Sequence, residues 1–321
     1  MRGFVVLSSQ SLGQTLTVAD VATHFRALLG GRFTKAERMW LMRAPLAPHS
    51  ALLWSAFICR YFRRYAGGLP PTRVLNKPLR NYGRNGLTPR RRVKLMLAHY
   101  RLLAELADDR LVGAACTFQP QTVTTLQGKR ASYRVTVSNT TRLAMTREGE
   151  LGLMLERDDG LLLAKMALLL GETDGKPVIA IGGLQGNKDG KQAVVTATRD
   201  LHGLRPKDAL LLAARSLATA FGIETIHAIS NAQHVIDGRS SNYDAYWLER
   251  GATPGAPFGF VMPAQMAVAE PTTGRDLIKA QLVQGASAYF MSHLRNKRLP
   301  AELSPDHIEA ACQRKPSLAI C

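Results

Sequence analysis

Apolar residues recur at helical spacing over 18–29, and a second short helix is expected over 35–42, closed by the proline-bearing stretch 44–48. Ser50 is placed to cap a third helix running to about Tyr65, which the Gly67, Gly68, Pro70 and Pro71 cluster ends. Residues 67–88, rich in Gly, Pro and Asn, read as a basic loop. Another helix is expected from about Pro89 to Ala107, with Val93, Met96, Leu97, Tyr100 and Leu103 on one stripe. The pattern changes near Asp108. From Gly113 to Ala197 the signals are those of strands: Val135 and Val137 alternate with Arg134 and Thr136, 151–156 is a second candidate, and apolar runs over 160–170 and 176–183 flank a turn at 171–175. Strands so close, joined by short Gly/Asp turns, predict antiparallel hairpins. A helix follows Pro206, which suits a first helical turn, and Gly222 fits its C-terminal cap. A strand is expected over 223–230, and one or two helices over 272–297. The predicted fold is α+β: a basic helical region over 1–110, a mainly antiparallel sheet with flanking helices over 111–300, and a tail over 301–321.

Charge sharpens this picture. The 321 residues carry a net charge of +18, and no acidic residue lies between Glu37 and Glu105. Such an excess favours an anionic partner, either a membrane surface or a phosphate-bearing ligand. Arg90-Arg91-Arg92-x-Lys94 could pair with nucleic-acid phosphates, but the chain holds no zinc finger, no RRM signature and no KH-type loop, so no dedicated nucleic-acid role is expected. Cys59, Cys116, Cys312 and Cys321 have no C-x-x-C spacing, so neither a metal site nor a disulfide framework is expected, and a reducing compartment fits best. No run of about 18 apolar residues predicts a membrane span. The apolar patch at the start falls short of a secretory h-region. The expected location is cytoplasmic, with peripheral contact at the inner membrane face. The stretch 51–65, with Leu53, Phe57, Ile58, Tyr61 and Phe62 beside Arg60, Arg63 and Arg64, is either an interfacial helix or a core helix whose arginines complement its C-terminus.

Candidate chemistry gathers over 178–250. A strand, a loop holding His202 and Gly203, a helix opening at Pro206 and a second strand come in that order. A helix N-terminus binds phosphate readily, and Arg199, Arg205 and Lys207 surround this one. They hold a ligand's phosphates or are solvated cations at a cap. His202 and His234 are expected near one end of the sheet, where open α/β sheets place ligands. His234 is the candidate general base, oriented by Asp244, with Asn231 and Tyr243 nearby; the alternative is a loop histidine bonded to backbone. Tyr243 and Trp247 share a helix face with Tyr246 beside them, as a packing anchor or a substrate platform. Gly182-Gly183-Leu184-Gln185-Gly186 ends a strand without forming a P-loop. Its glycines permit a bulge or a close backbone approach, and Gln185 could donate to a ligand.

These residues carry two resemblances. The 178–230 order resembles the heart of acyl-CoA-dependent N-acyltransferases of the GNAT-like type, which implies acyl-CoA at Arg199, Gly203, Arg205 and Lys207. The usual [Q/R]-x-x-G-x-[G/A] loop is not matched in register, since Arg199 stands four residues before Gly203 and Arg205 replaces the small residue. More widely, Gly182 to Gly186, Leu201-His202-Gly203-Leu204-Arg205-Pro206-Lys207, Ser230-Asn231 with His234-Val235, Tyr243-Asp244-Ala245-Tyr246-Trp247 and the earlier His99-Tyr100 resemble the bacterial VirK/YbjX family. Tyr246 and the Gly251-Ala252 pair depart from that family's pattern. The resemblance implies a cell-envelope role tied to virulence, surface-protein display and resistance to cationic antimicrobial peptides. Two functional readings stand. One is an acyl-CoA-dependent acyltransferase acting at the inner membrane face. The other is a non-enzymatic adaptor binding anionic lipid or a lipid-linked glycan through the basic region. A ligand-sized pocket at 203–207 favours the first; a filled sheet with an exposed basic and aromatic face favours the second.

Overall fold

The computed structural model describes residues 34–187, 190–236, 242–265 and 272–295. The helix expected over 18–29 and the tail 301–321 lie outside them. The described chain forms two compact units, 34–80 and 81–295.

The first unit is helical, with α1 (Lys35–Arg43), α2 (Pro48–Ala66) and the single turn α3 (Thr72–Leu75). Gly67, at φ 68°, ends α2 in the left-handed conformation that suits glycine. Ser50 lies inside α2 and caps nothing; Pro48 opens the helix instead. Trp54 Nε1 donates to the Val74 carbonyl at 2.8 Å, tying α2 to α3. Phe57, Ile58, Tyr61 and Phe62 are buried. α2 is therefore a core helix, and the interfacial alternative fails because its apolar stripe already has protein around it. α3, together with a 3₁₀ turn at Lys77–Leu79, occupies what composition presents as a loop.

The second unit is built on one eight-stranded sheet. It opens with α4 (Pro89–Leu106) and α5 (Asp109–Cys116), the latter capped by Asp108 on the Arg110 and Leu111 amides. Five strands come next as a meander: β1 (Gln121–Gln127), β2 (Ser132–Asn139), β3 (Leu151–Arg157), β4 (Leu162–Thr173) and β5 (Lys176–Gly186). Then come α6 (Lys191–Asp200), α7 (Pro206–Ala220), β6 (Thr225–Ile229), α8 (Tyr243–Leu248), β7 (Thr253–Gly255), β8 (Gly259–Pro263) and α9 (Gly274–Ser292). The strand order is β1-β2-β3-β4-β5-β6-β8-β7, antiparallel throughout except for the parallel β5–β6 pair. The α+β class and the mainly antiparallel sheet are as expected. α5 and α6 replace strand signals, and β7 and β8 form where the pattern predicts no strand.

Two irregularities of the sheet shape the surroundings of the candidate residues. Opposite β4, strand β5 carries one extra residue: Ala167 pairs with Gly183 and Leu168 with Ile181, so Gly182 bulges. Beyond the Ile181–Ala228 pair, β5 parts from β6 and runs on to Gly186 paired with β4. Alternation along β4 places Lys165, Ala167 and Leu169 on one face. Leu143 and Met145 pack on that side with Ala167 and Met154. α7 and α9 cover the opposite face. Among the described residues no helix is long and apolar enough to cross a membrane.

Candidate functional site

The cations expected around the start of α7 do converge. Arg199 from the last turn of α6, with Arg205 and Lys207 from the start of α7, lines a cavity of about 440 Å³. Leu163, Val194 and Val195 form its apolar wall, and Gly186 and Tyr246 complete it beside Thr198 and Pro206. No side chain caps α7, because the N-cap residue is Arg205. Arg205 also pairs with Glu249 at 3.0 Å in an exposed bridge. Burial lowers the pKa of the Lys207 ammonium, and the nearby Arg250 lowers it further, against the pull of Asp208. Arg250 Nε donates to Asp208 Oδ1 at 2.6 Å, and its guanidinium lies 3.6 Å from the centre of the Tyr246 ring. Tyr246 donates its hydroxyl to the same Asp208 oxygen at 2.9 Å. Sequence reasoning missed Asp208 and Arg250, which fix the wall that Tyr246 presents.

Gly203 does not line the cavity. At φ 90° it turns the chain, and its N–H donates to the Thr198 carbonyl at 2.7 Å, closing α6. His202, at φ 54° and exposed, lies against Gly274 at the start of α9. A Cβ on Gly274 would sit 2.4 Å from His202 Nδ1, so the imidazole packs close to the α9 backbone, and His202 is not among the residues lining the cavity.

His234 is buried on the other side of β5. Its Nε2 lies 2.9 Å from Glu148 Oε1, and its Nδ1 is 3.1 Å from both the N–H and the carbonyl of Ile236. The carboxylate that orients it is thus Glu148, not Asp244. Asp244 Oδ1 instead accepts the Asn231 N–H at 2.7 Å. Asn231 Oδ1 in turn accepts the Tyr243 N–H, and its Nδ2 donates to Asn242 at 2.9 Å. Asp244 and Asn231 therefore shape the α8 entry rather than the imidazole, the usual local bonding of Asp and Asn at helix starts. Gln185 Nε2 also donates to Glu148 Oε1, at 2.9 Å. Gln185 and Gly186 are successive residues of β5 and so face opposite sides of the sheet. The Glu148–His234 pair and the cation-lined cavity accordingly occupy opposite faces, and His234 is not a wall of the cavity.

Space explains the glycines. A Cβ on Gly182 would lie 1.8 Å from the Glu148 carbonyl oxygen, and one on Gly183 would lie 2.5 Å from Glu148 Oε1. Close approach and bulge, the two expectations for this run, both hold. α8 closes the gap where β5 parts from β6. Tyr243 stacks on His234 with ring centres 5.2 Å apart, and its hydroxyl accepts the Leu184 N–H at 3.1 Å. Trp247 stacks on Tyr243 and donates Nε1 to the Ile229 carbonyl at 2.8 Å, so the packing-anchor reading describes it. The one signal for Glu148 is a charged residue beside the apolar run that starts at Leu151; nothing local links it to His234, 86 residues away. Among the described residues no group of three or more His, Cys, Asp or Glu side chains is arranged to hold a metal ion.

Comparison with known proteins gives this geometry a family. The curated protein YbjX of Escherichia coli (strain K12), described as uncharacterized, is 29% identical over 199 residues, which are 59% of this chain and 60% of the relative. The match thus spans less than two thirds of the relative's length. A family described as a protein of unknown function, DUF535, matches residues 35–273, a span that contains the cavity, the Glu148–His234 pair and α8. The chain belongs to the DUF535 family, the VirK/YbjX group that its Leu201–Lys207 and Tyr243–Trp247 runs resemble.

Proposed function

We propose that the cavity at the start of α7 binds a ligand joining phosphates to an apolar chain, with acyl-CoA as the class, and that the protein is an acyltransferase-like factor of the cell envelope. One observation carries this reading: three cations, Arg199, Arg205 and Lys207, line a cavity of about 440 Å³ together with the apolar Leu163, Val194 and Val195. That volume lies in the range of small-molecule sites. The helix dipole of α7 adds to the attraction for an anion. The β5–α7–β6 order, with β5 and β6 parallel, supports the acyltransferase-like architecture, and the cavity lies at the carboxyl end of β5. The cell-envelope setting, at the inner membrane face and linked to antimicrobial-peptide resistance, comes from the family resemblance.

The residues fit such a ligand through side chains. In the turn before α7 the Gly203 N–H goes to Thr198 and the Leu204 N–H to Leu201, while Pro206 has none. In this reading the side chains of Arg199, Arg205 and Lys207 carry the phosphates. Arg205 would share its guanidinium between the ligand and Glu249.

Calorimetric titration with coenzyme A and with short- and long-chain acyl-CoAs tests this. Saturable binding that tightens with acyl length is expected. Lys207→Ala and Arg199→Ala should each weaken it about tenfold, the loss of one charge-assisted hydrogen bond. Weak binding that salt abolishes equally for every polyanion would leave only surface charge, and the anionic-lipid adaptor would take its place.

A further inference from the structure

We infer that Glu148 Oε2 is the docking point of a second ligand, one bearing a primary ammonium group, on the sheet face opposite the cavity. Glu148 is fully buried, and its two oxygens are treated unequally. Oε1 takes both His234 Nε2 and Gln185 Nε2, each at 2.9 Å. Oε2 is buried without a hydrogen-bond partner among the described residues. Native structures seldom leave a buried polar atom unsatisfied, and a charged one carries the largest penalty.

A purely structural role does not account for this arrangement. A cation is at hand, since Lys165 stands close enough to feel the Glu148 charge, yet its ammonium donates to the Leu143 carbonyl at 2.7 Å. Oε1 alone anchors the imidazole and the amide. Meanwhile Gly182 and Gly183 give up their side chains to make room for this one residue. The outcome is a carboxylate clamped by one oxygen with the other held ready for a donor. A charged acceptor in a dry setting favours a charged N–H donor over a neutral one. Where β5 has parted from β6, Tyr243 of α8 covers this side: its hydroxyl accepts the Leu184 N–H and its ring stacks on His234. The amine site lies across the sheet from the cavity and does not depend on what the cavity holds.

The probe is butylammonium chloride, followed by thermal unfolding of the full chain against sodium chloride at equal ionic strength, with tetramethylammonium as a cation of equal charge that has no N–H. The expected result is a saturable rise in Tm with butylammonium alone. Glu148→Gln should weaken the apparent affinity at least about tenfold, while Lys207→Ala leaves it unchanged, so a failure of the cavity assignment shows separately. An equal rise with tetramethylammonium, no rise beyond that of sodium chloride, or an undiminished rise in Glu148→Gln overturns the inference. The wild-type comparison of the two cations decides it even where Glu148→Gln does not fold.

Discussion

Replacing Gly182 by alanine is expected to destabilise the protein by about 3 kcal/mol, the upper end of what overpacking a close-packed interior costs. The new methyl carbon would lie 1.8 Å from the Glu148 carbonyl oxygen and 2.9 Å from its carbonyl carbon, and both are backbone atoms. A flexible side chain could swing away; a backbone held by the Glu148 N–H on the Met145 carbonyl and by Thr140 Oγ1 on the Gly149 carbonyl cannot move cheaply. Gly171→Ala is the control. Its methyl would meet Val178 Cγ2 at 3.9 Å, ordinary van der Waals contact, and a change within about 0.5 kcal/mol is expected. Urea unfolding of the two variants beside wild type measures both. Equal midpoints for the two would mean that the 145–150 segment does not lie against β5 as described.

Trp247→Ala should be costlier, about 3–5 kcal/mol, as for other buried aromatics cut back to alanine. The side chain is fully buried, stacks on Tyr243 at 6.4 Å and meets Tyr246 edge-on at 4.8 Å. Its loss also takes the indole donor from the carbonyl of Ile229, a fully buried residue at the end of β6. Because Trp247 supports Tyr246, the variant should also weaken the proposed acyl-CoA binding, although Trp247 is not itself a residue of the cavity wall. Trp247→Phe separates the two contributions: it keeps the stack, loses the indole N–H, and should fall between alanine and wild type in denaturant. A cost below about 1 kcal/mol for Trp247→Ala would show that α8 is held by something else.

Local signals carried much of the fold into the sequence. α7 declared itself through Pro206 at its start and Gly222 after its end, and the meander through its Gly/Asp turns. α6 did not, because Val194, Val195, Thr196 and Thr198 favour strands by intrinsic preference, and only packing in the folded unit makes that stretch a helix. α2 shows a different limit. An apolar stripe edged with arginine looks the same whether lipid or protein covers it, and burial decides. The cavity cations could be grouped in advance because all three belong to one continuous turn from α6 to α7. The partner of His234 could not. Proximity in sequence favoured Asp244, ten residues on, whereas the sheet brings in Glu148 from the far side of β3, β4 and β5. Asp244 spends its oxygen on a neighbouring amide, as short carboxylates at the first turn of a helix tend to do.

The single parallel pair has a bearing on how the chain assembles. β1 to β5 follow one another through tight turns and, between β2 and β3, the segment 140–150, so each can pair with the strand just before it at a modest loop-closure entropy. β6 has no such shortcut: it meets β5 only once the whole α6–α7 crossover has been made and laid on the sheet. Contacts of that range form late and slowly. The meander is then an early-born scaffold, and β6, α8 and β8 are its last additions. The gap filled by Tyr243 and the seat of His234 are then expected to form last, onto strands already paired.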